Sequence, residues 1–347
     1  MPQNPLATDL DHILYHTRDL WDELRGERIF ITGGTGFFGH WLLESFLWAN
    51  DRLSLGARAT ILTRSPQAFI AKNPHLALAD SVTLAEGDIR TFVFPLGEFS
   101  HIIHAATAAS AKLNAENPLL MLDTIIEGTR RTLDFSKACH ANKFLLTSSG
   151  AVYGRQPSEM THISEDYQGA PDPLDTHSAY GQGKRIAEHL CTLYASSALE
   201  IKIARSFALV GPYLPLDIHF AMGNFIRDGL KGGPIIIQAD GTPRRSYLYA
   251  ADLAIWLWTI LINGQSLRPY NVGSDESLSI AEVAHRVAQC FTPEIKVEIR
   301  GIPNPLMPLE RYVPDIQRTR NELGLRALIS VEEGILRTIQ FERRIKA

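Results

Sequence analysis

Residues 29–39 read IFITGGTGFFG, a short apolar run that leads into three glycines spaced three apart, Gly33, Gly36 and Gly39. The segment HWLLESFLW follows directly and predicts a helix over 40–49. The free N–H groups and partial positive charge at a helix N-terminus suit a pyrophosphate, and glycines permit a tight turn and close backbone approach. This stretch therefore predicts a strand, a phosphate-binding turn and a helix.

Short β-rich segments alternate with helical stretches from residue 28 to residue 206. The predicted strands are 28–32, 59–63, 82–86, 101–106, 143–149 and 201–206, and helices are predicted near 40–49, 118–140 and 178–196. Strand–helix alternation implies a parallel sheet covered on both faces, and right-handed crossovers make it doubly wound. We therefore predict an α/β fold with a doubly wound parallel sheet of the Rossmann type.

The pattern changes after Gly211-Pro212, where proline and glycine become frequent between short helices. Helices are predicted over 250–263, 279–290 and 331–345, with a short strand near Tyr270. We expect residues 27–210 to form the dinucleotide-binding domain and 211–347 a smaller α/β substrate domain interleaved with it. Residues 1–26 predict an acidic helical extension that caps the domain or a partner subunit.

The composition limits the possible environments and partners. The chain has 347 residues, 45% hydrophobic and 21% charged, so it can bury a sizeable core. A net charge of −4 gives no general basic surface for nucleic acid. Three cysteines without paired spacing fit a reducing cytosol, and the longest apolar stretch, 253–262, is far below the ~20 residues of a membrane span. The histidines lack ligand-like spacing, so we predict a cytoplasmic protein without a metal site or membrane segment.

A tyrosine and a lysine four residues apart, Tyr180 and Lys184, share one face of the predicted helix 178–196. A neighbouring ammonium lowers the pKa of a tyrosine from about 10 by favouring the phenolate. Such a tyrosine can exchange a proton with a substrate hydroxyl while hydride leaves the same carbon, and the lysine can bond the nicotinamide ribose. Taken alone, this pair is usually a surface feature. The segment TSSGAVYG, residues 147–154, adds hydroxyls at the carboxyl end of a predicted strand, where α/β sheets bind ligands.

The glycine spacing after Thr32, the Tyr-x-x-x-Lys pair and the Val-Tyr-Gly segment occur in an order that resembles the extended short-chain dehydrogenase/reductase superfamily. The resemblance is to its NAD(P)-dependent sugar-nucleotide epimerase and dehydratase family, similar to UDP-galactose 4-epimerase, and it covers nearly all of the chain from residue 27. It implies that Ser149, Tyr180 and Lys184 are catalytic, with the Ser149 hydroxyl bound to the reacting oxygen. It also implies a homodimer formed through the helices 118–140 and 178–196.

The end of the second strand indicates which dinucleotide binds. An acidic residue there binds the ribose of NAD, whereas an arginine suits the 2′-phosphate of NADP. The sequence has Thr63-Arg64-Ser65 without an acid nearby, which favours NADP; alternatively, Arg64 stacks on the adenine. With the residues that the resemblance adds, the predicted NAD(P) site comprises Thr32, Gly33, Thr35, Gly36, Phe37, Phe38, Gly39, Thr63, Arg64, Asp88, Ile89, Ala105, Ala106, Thr107, Tyr180 and Lys184.

The resemblance extends to residues 240–252, where Arg245 falls on a phosphate-binding arginine of the family. A guanidinium can hold a diphosphate bidentately, so the expected substrate is a nucleotide-diphosphate sugar. Asn224 falls near a substrate-binding asparagine, and Arg311 is a candidate second diphosphate contact. With Ser149, these residues form the predicted substrate site. One departure is Ile125, at a position where the family often has asparagine.

The residues after Ser149 separate the reactions of this family. The 4,6-dehydratases that resemble this chain have Asp-Glu there, and the UDP-glucuronate decarboxylases have glutamate at the second position, whereas this chain has Gly150 and Ala151. Neither residue can move a proton, so elimination and decarboxylation by those routes are disfavoured. The leading hypothesis is a sugar-nucleotide 4-epimerase. The alternatives are a 4-ketoreductase of a nucleotide deoxysugar and a non-catalytic protein that senses the dinucleotide.

Overall fold

The computed structural model describes residues 4–107, 111–217, 221–304 and 306–346. The strands are β1 (Arg28–Thr32), β2 (Arg58–Thr63), β3 (Val82–Glu86), β4 (His101–His104), β5 (Lys143–Ser149), β6 (Glu200–Ser206), β7 (Leu209–Val210), β8 (Ile235–Ile237), β9 (Arg244–Arg245), β10 (Leu248–Tyr249), β11 (Pro269–Val272), β12 (Leu278–Ser279), β13 (Val297–Ile299) and β14 (Arg311–Tyr312). The helices are α1 (Ala7–Thr17), α2 (Phe37–Arg52), α3 (Pro66–Lys72), α4 (Pro74–Ala77), α5 (Ala111–Glu116), α6 (Pro118–Ala138), α7 (Ala179–Tyr194), α8 (Ala221–Leu230), α9 (Ala250–Asn263), α10 (Ile280–Gln289), α11 (Gln317–Leu323) and α12 (Val331–Lys346).

A seven-stranded sheet in the order β11-β6-β5-β4-β1-β2-β3 forms the centre of the molecule. Each neighbouring pair is parallel. The chain runs outward from β1 to β3, returns to β4 and then continues in the opposite direction. This reversal confirms the predicted doubly wound sheet, and it opens a crevice at the carboxyl ends of β1 and β4, where such sheets bind ligands.

The two faces of the sheet pack into separate apolar cores. Ile29 and Ile31 of β1 belong to the core that includes α2 and α9, whereas Phe30 belongs to the core under α6 and α7. Successive side chains of a strand point to opposite faces, so an uninterrupted apolar strand serves both cores. The helix α9, which contains the longest apolar stretch of the sequence, is buried on this sheet. Among the described residues, no helix is long and apolar enough to cross a membrane.

The part of the chain after residue 211 is interleaved with the part before it. Its strand β11 completes the main sheet beside β6, and α9 covers one face of that sheet. The remaining strands of this part form small sheets, β12-β9-β14 and β13-β8, and β10 pairs with β7, which directly precedes this part of the chain. In the first of these sheets, β14 pairs with β9, so Tyr312 lies directly beside Arg245.

The N-terminal segment is helical, and α1 packs against α2 and α9 of its own chain. Asp9 on α1 is buried, accepts a hydrogen bond from the Tyr249 hydroxyl at 2.7 Å and forms an ion pair with Arg337. The rings of Trp21 and Trp258 lie 4.8 Å apart between centroids. The extension is therefore bound to the core by both polar and aromatic contacts.

Candidate active site

The glycine turn between β1 and α2 brings three pieces of backbone close together. A Cβ on Gly33, whose φ is +71°, would lie 2.5 Å from the carbonyl carbon of Ala105, and a Cβ on Gly39 would lie 2.3 Å from Gly34. Both positions therefore require glycine for the fold itself. Gly36 differs, because a Cβ there would meet only the Gly33 oxygen, at 3.4 Å. Its backbone precedes the first turn of α2, so the absence of a side chain leaves this face of the turn open to a pyrophosphate.

The Thr32 side chain stabilises the turn after β4, which lies against the glycine turn. Its buried hydroxyl is 2.8 Å from His104 Nδ1 and accepts a hydrogen bond from the Ala106 N–H at 3.2 Å. His104 Nε2 is in turn 3.1 Å from the Thr129 hydroxyl, and burial lowers the pKa of His104 to about 3. The Thr32 side chain, predicted from the sequence to contact the cofactor, thus joins β1 to the turn after β4. Among the residues described, no group of three or more His, Cys, Asp or Glu could hold a metal ion.

The adenosine end of the predicted cofactor site lies where β2 and β3 end side by side. Arg64 is exposed there, and Thr63 pairs with Glu86 of β3. No acidic residue is close to Arg64 in the sequence, but Asp88, two residues after β3, is close enough for Arg64 to lower its pKa. Asp88 is already engaged, since it accepts hydrogen bonds from the Arg90 backbone and side chain at 2.9 Å, and this contact lowers its pKa more than Arg64 does.

The turn after β4 is made of Ala105, Ala106 and Thr107 and lies next to the glycine turn. The buried Thr107 hydroxyl has no hydrogen-bond partner among the described residues. Ile89 packs on α6, because a Cβ on Gly128 would lie 2.9 Å from its side chain. The cofactor residues predicted in separate stretches of the sequence are therefore brought to one edge of the sheet.

The predicted catalytic residues meet at the carboxyl end of β5. Ser149 ends that strand and accepts a hydrogen bond from the Ala151 N–H at 3.2 Å, and its side chain is close enough to the Tyr180 hydroxyl to lower the pKa of that tyrosine. Lys184 is buried one turn along α7 and donates to the Thr147 carbonyl oxygen at 2.8 Å. The side chains of Ser149, Tyr180 and Lys184 thus converge on the edge of the sheet at which the glycine turn lies.

The expected effect of Lys184 on the tyrosine is wrong for this geometry. Burial raises the pKa of Tyr180 above its ordinary value, and the Ser149 side chain opposes that rise. The Lys184 ammonium lies 5.8 Å from the centroid of the Tyr180 ring and is directed to a backbone carbonyl. Burial also lowers the pKa of Lys184, to about 8.

The position of α7 depends on contacts with residues that belong to none of the sequence motifs. Asn114 accepts a hydrogen bond from the Tyr180 N–H at 3.0 Å and donates to the His177 carbonyl at 2.7 Å, which holds the first turn of the helix. Gly181 allows close approach to the serine segment, because a Cβ there would lie 2.8 Å from the Ala151 oxygen. Ile125, the departure from the family pattern, packs on the same helix at Gly183.

A largely buried ion pair lies next to the catalytic residues. Glu188, one turn after Lys184, pairs with Arg205 of β6 at 2.7 Å and accepts a hydrogen bond from the Ser148 hydroxyl at 2.5 Å. Arg205 also donates to the Tyr153 hydroxyl at 3.0 Å. This network fixes the residue before Ser149, and a single sequence gives no local signal for it because its members come from separate elements.

Apart from Ser149, the residues predicted to bind substrate lie in the part of the chain after residue 211, which we call the second lobe. Arg245 forms an ion pair with Glu310 and is paired in register with Tyr312, whose hydroxyl is 3.4 Å from Ser149 Oγ. The buried Nε of Arg311 has no hydrogen-bond partner among the described residues. Asn224 lies on α8, where its described hydrogen bond is with Arg227 of the same helix, at 3.1 Å. The structure therefore brings Arg245 and Arg311 to the strands beside Ser149.

Comparison with protein families gives a match over most of the chain. The sequence model of the NAD dependent epimerase/dehydratase family matches residues 29–273. The chain is 31% identical over 311 residues to UDP-glucuronic acid decarboxylase 6 of Arabidopsis thaliana, a match that covers 89% of this chain and 86% of the relative. It is 29% identical over 320 residues to UDP-glucuronic acid decarboxylase 1 of Danio rerio, covering 92% and 73%.

Solved structures of similar architecture include UDP-sugar epimerases. UDP-glucose 4-epimerase of Thermus thermophilus, in complex with NAD, superimposes with a TM-score of 0.72 at 26% identity, covering 91% of this chain and 99% of that one. UDP-glucose 4-epimerase of Thermotoga maritima, with UDP-glucose, has a TM-score of 0.77 at 20% identity over 92% of this chain and 100% of that one. These matches confirm the fold and the family resemblance inferred from the motifs.

Proposed function

Because this chain belongs to the NAD-dependent epimerase/dehydratase family, we propose that it is a sugar-nucleotide 4-epimerase that acts by transient oxidation at C4. The glycine turn supports the cofactor assignment, because Gly36 is open where Gly33 and Gly39 are closely packed. A dinucleotide held at this turn would supply the acceptor and donor of the hydride that is exchanged with the sugar carbon. The remaining chemistry belongs to the side chains of this protein.

Tyr180 takes the proton of the C4 hydroxyl as the hydride leaves C4, which converts the alcohol to a ketone. Ser149 binds the C4 oxygen beside Tyr180, and its hydroxyl lowers the pKa of Tyr180, which favours the ionised tyrosine. Lys184 would hold the ribose next to the nicotinamide. The 4-keto sugar then rotates within the site, so that the hydride returns to the opposite face of C4. Tyr180 gives the proton back to the C4 oxygen, and the sugar is inverted at C4 without net oxidation.

One observation favours epimerisation over elimination: neither of the two residues directly after Ser149 has an ionisable side chain. Gly150 and Ala151 occupy the two positions, and a Cβ on Gly150 would lie 2.7 Å from the Tyr312 hydroxyl and 2.6 Å from the Phe207 ring. A carboxylate therefore cannot be introduced at residue 150 without displacing these aromatic rings. Elimination needs an acid and a base beside the sugar, whereas epimerisation needs only the trio and the cofactor.

The second candidate is decarboxylation of a nucleotide-linked hexuronate. It is favoured by the Arabidopsis and Danio relatives, which match along most of this chain. The first step is the same, since oxidation at C4 of a hexuronate gives a β-keto acid, which loses CO2 when a proton is supplied to C5. The Arg245 guanidinium, near Tyr312 and Ser149, could hold the carboxylate.

One assay distinguishes the two reactions. The protein is incubated with UDP-glucose, UDP-N-acetylglucosamine and UDP-glucuronate in separate reactions, and the products are identified by NMR. A 4-epimerase converts at least one of them to its C4 epimer and releases no CO2. Formation of UDP-xylose and CO2 from UDP-glucuronate would replace the epimerase by the decarboxylase. No conversion of any sugar nucleotide, with or without added NADPH, would support the non-catalytic alternative.

We propose NADP(H) as the preferred cofactor, because Arg64 presents an exposed guanidinium at the end of β2. Asp88, the nearby carboxylate, is held by two groups of Arg90, which leaves Arg64 available for a 2′-phosphate.

The 4-ketoreductase alternative is tested by denaturing the purified protein. An epimerase keeps a near-stoichiometric oxidised dinucleotide, whereas a reductase exchanges its cofactor at each turnover.

We also propose a homodimer formed through α6 and α7, which pack side by side on one face of the sheet. Exposed leucines, Leu119 on α6 and Leu193 on α7, support this interface. Light scattering that gives only the monomer mass at working concentration would exclude it.

The three cysteines are unpaired, which supports the proposed cytoplasmic location.

A further inference from the structure

Tyr312 brings a second phenol to the catalytic edge from the far end of the sequence. Its backbone pairs with Arg245 in the small sheet of the second lobe, and its ring packs against Phe207 with the centroids 4.6 Å apart. This packing carries the hydroxyl to 3.4 Å from Ser149 Oγ. Ser149 therefore lies within reach of two tyrosine hydroxyls, those of Tyr180 and Tyr312.

The Tyr312 hydroxyl is poorly satisfied by the protein. Its two contacts, with Ser149 Oγ at 3.4 Å and the Ser206 carbonyl oxygen at 3.5 Å, are longer than ordinary O–H···O hydrogen bonds. Burial raises the pKa of Tyr312, so the group is a neutral phenol with a proton to donate. A polar group held in place without a good partner costs free energy unless a ligand supplies one.

A second hydroxyl beside Ser149, that of Ser206, has no hydrogen-bond partner within the described parts of the chain. Ser206 pairs in register with Ser149 on the neighbouring strand, and its side chain is only 7% exposed. Its Oγ forms no hydrogen bond with any of the described residues. Two incompletely bonded hydroxyls beside the catalytic serine match a ligand that carries several hydroxyl groups, such as a sugar.

The ring of Tyr312 also explains the glycine after the catalytic serine. A side chain at residue 150 would collide with the Tyr312 hydroxyl and with Phe207. In this chain the volume beside Ser149 is therefore taken by a phenol from the second lobe. That phenol presents a side-chain hydrogen-bond donor next to Gly150 and Ala151, whose side chains offer none.

We infer that Tyr312 contacts the substrate and donates a hydrogen bond to the polar substituent on a ring carbon next to C4. The inference rests on the proposed nucleotide-sugar substrate, in which Ser149 and Tyr180 hold the C4 oxygen. The separation between the Ser149 and Tyr312 oxygens is comparable to that between oxygens on adjacent ring carbons. Tyr312 thereby selects sugars that have a hydrogen-bond acceptor at C3 or on C5.

The test measures binding rather than turnover, so that it does not depend on the reaction. Calorimetry gives the Kd of the unchanged protein and of Tyr312→Phe for UDP, UDP-glucose, UDP-xylose and UDP-3-deoxyglucose. UDP-xylose lacks the C5 substituent, and UDP-3-deoxyglucose lacks the C3 hydroxyl. Tyr15→Phe, on an exposed tyrosine of α1, is the matched control. Phenylalanine keeps the packing against Phe207, and thermal unfolding checks that the variant is folded.

We expect Tyr312→Phe to weaken UDP-glucose binding about 3- to 10-fold, the loss typical of one neutral hydrogen bond, and to leave UDP binding unchanged. The loss should disappear with one of the two analogues, which identifies the contacted substituent. An equal loss with both analogues, a loss with UDP alone, or no loss would overturn the inference. If the unchanged protein binds no UDP-sugar, the proposed substrate class and the inference are both wrong, whereas binding without epimerisation refutes only the proposed reaction.

Discussion

The Lys184 ammonium donates a hydrogen bond to the main-chain carbonyl of Thr147, with Nζ and the oxygen 2.8 Å apart. This contact joins α7 to the end of β5, because Thr147 lies two residues before Ser149 on that strand. Since the lysine is buried, the contact retains a cation in a place that disfavours charge, and the pKa of Lys184 falls to about 8. We interpret this as stability given up in favour of cofactor binding.

Replacing Lys184 with methionine should therefore have a pH-dependent effect on stability. A lysine with a folded pKa of about 8 and an ordinary value of 10.5 destabilises the fold fully below pH 8. The penalty is removed as the pH rises from the folded towards the unfolded value, because only the unfolded state then keeps the proton. The free energy of unfolding of Lys184→Met, relative to the unchanged protein, should be higher at pH 7 than at about pH 9.5.

Urea unfolding at the two pH values measures this difference, with Lys112→Met on an exposed lysine of α5 as the control. If the free energy of unfolding of Lys184→Met differs from that of the unchanged protein by the same amount at both pH values, the charge of Lys184 does not destabilise the fold.

Removing only the hydroxyl of the catalytic tyrosine should abolish most of the activity. Tyr180→Phe loses the group that exchanges a proton with the C4 oxygen, so kcat should fall about 10²- to 10⁴-fold while the fold is kept. Steady-state kinetics with the identified sugar nucleotide measures the change, and Tyr15→Phe is again the control. A Tyr180→Phe variant with near-full activity would exclude this tyrosine as the proton carrier.

The cofactor preference should depend on Arg64. Removing its guanidinium in Arg64→Ala takes away the group that contacts a 2′-phosphate, so the Kd for NADP should rise about 10-fold or more while that for NAD changes little. Fluorescence titration of the stripped protein measures both constants. Arg344→Ala, on an exposed arginine of α12, is the control. Equal weakening for NAD and NADP would support stacking of Arg64 on the adenine instead.

The N-terminal helix should contribute to stability and not to catalysis. Asp9→Ala removes a buried carboxylate that accepts from Tyr249 and pairs with Arg337, so the free energy of unfolding should fall by about 2 kcal/mol. Guanidinium unfolding measures this, with the exposed Asp19→Ala as the control. The kcat per folded molecule should not change. A loss of kcat without a loss of stability would assign this segment to the active site.

The sheet was predictable because its strands are short apolar runs with a helix after each turn. The predicted strands 28–32, 82–86 and 143–149 agree with the observed ones at both ends. Strand 101–106 was predicted too long, because the chain turns after His104 to pass the glycine turn. Helix 40–49 begins earlier, at Phe37, because the helix starts directly after Gly36.

The site was only partly predictable, because a motif names residues that are close in the sequence. Tyr180 and Lys184 share a helix, so their spacing alone placed them on one face. Tyr312 lies 163 positions from Ser149 and reaches it through the pairing of two-residue strands that no periodicity reveals. The raised pKa of Tyr180 was missed for a related reason, since burial and the direction of the Lys184 ammonium depend on the packing around both groups.

The most direct test of the central claim follows the hydrogen at C4. UDP-glucose and UDP-glucuronate, each deuterated at C4, are incubated with the purified protein without added cofactor, and the products are analysed by NMR. We predict that at least one is converted to its C4 epimer and that the deuterium remains on C4, because the same hydride leaves and returns. Loss of the deuterium from C4, or conversion that occurs only in a parallel reaction in which added NAD(P)H is consumed stoichiometrically, would contradict oxidation and reduction at C4 within a single site.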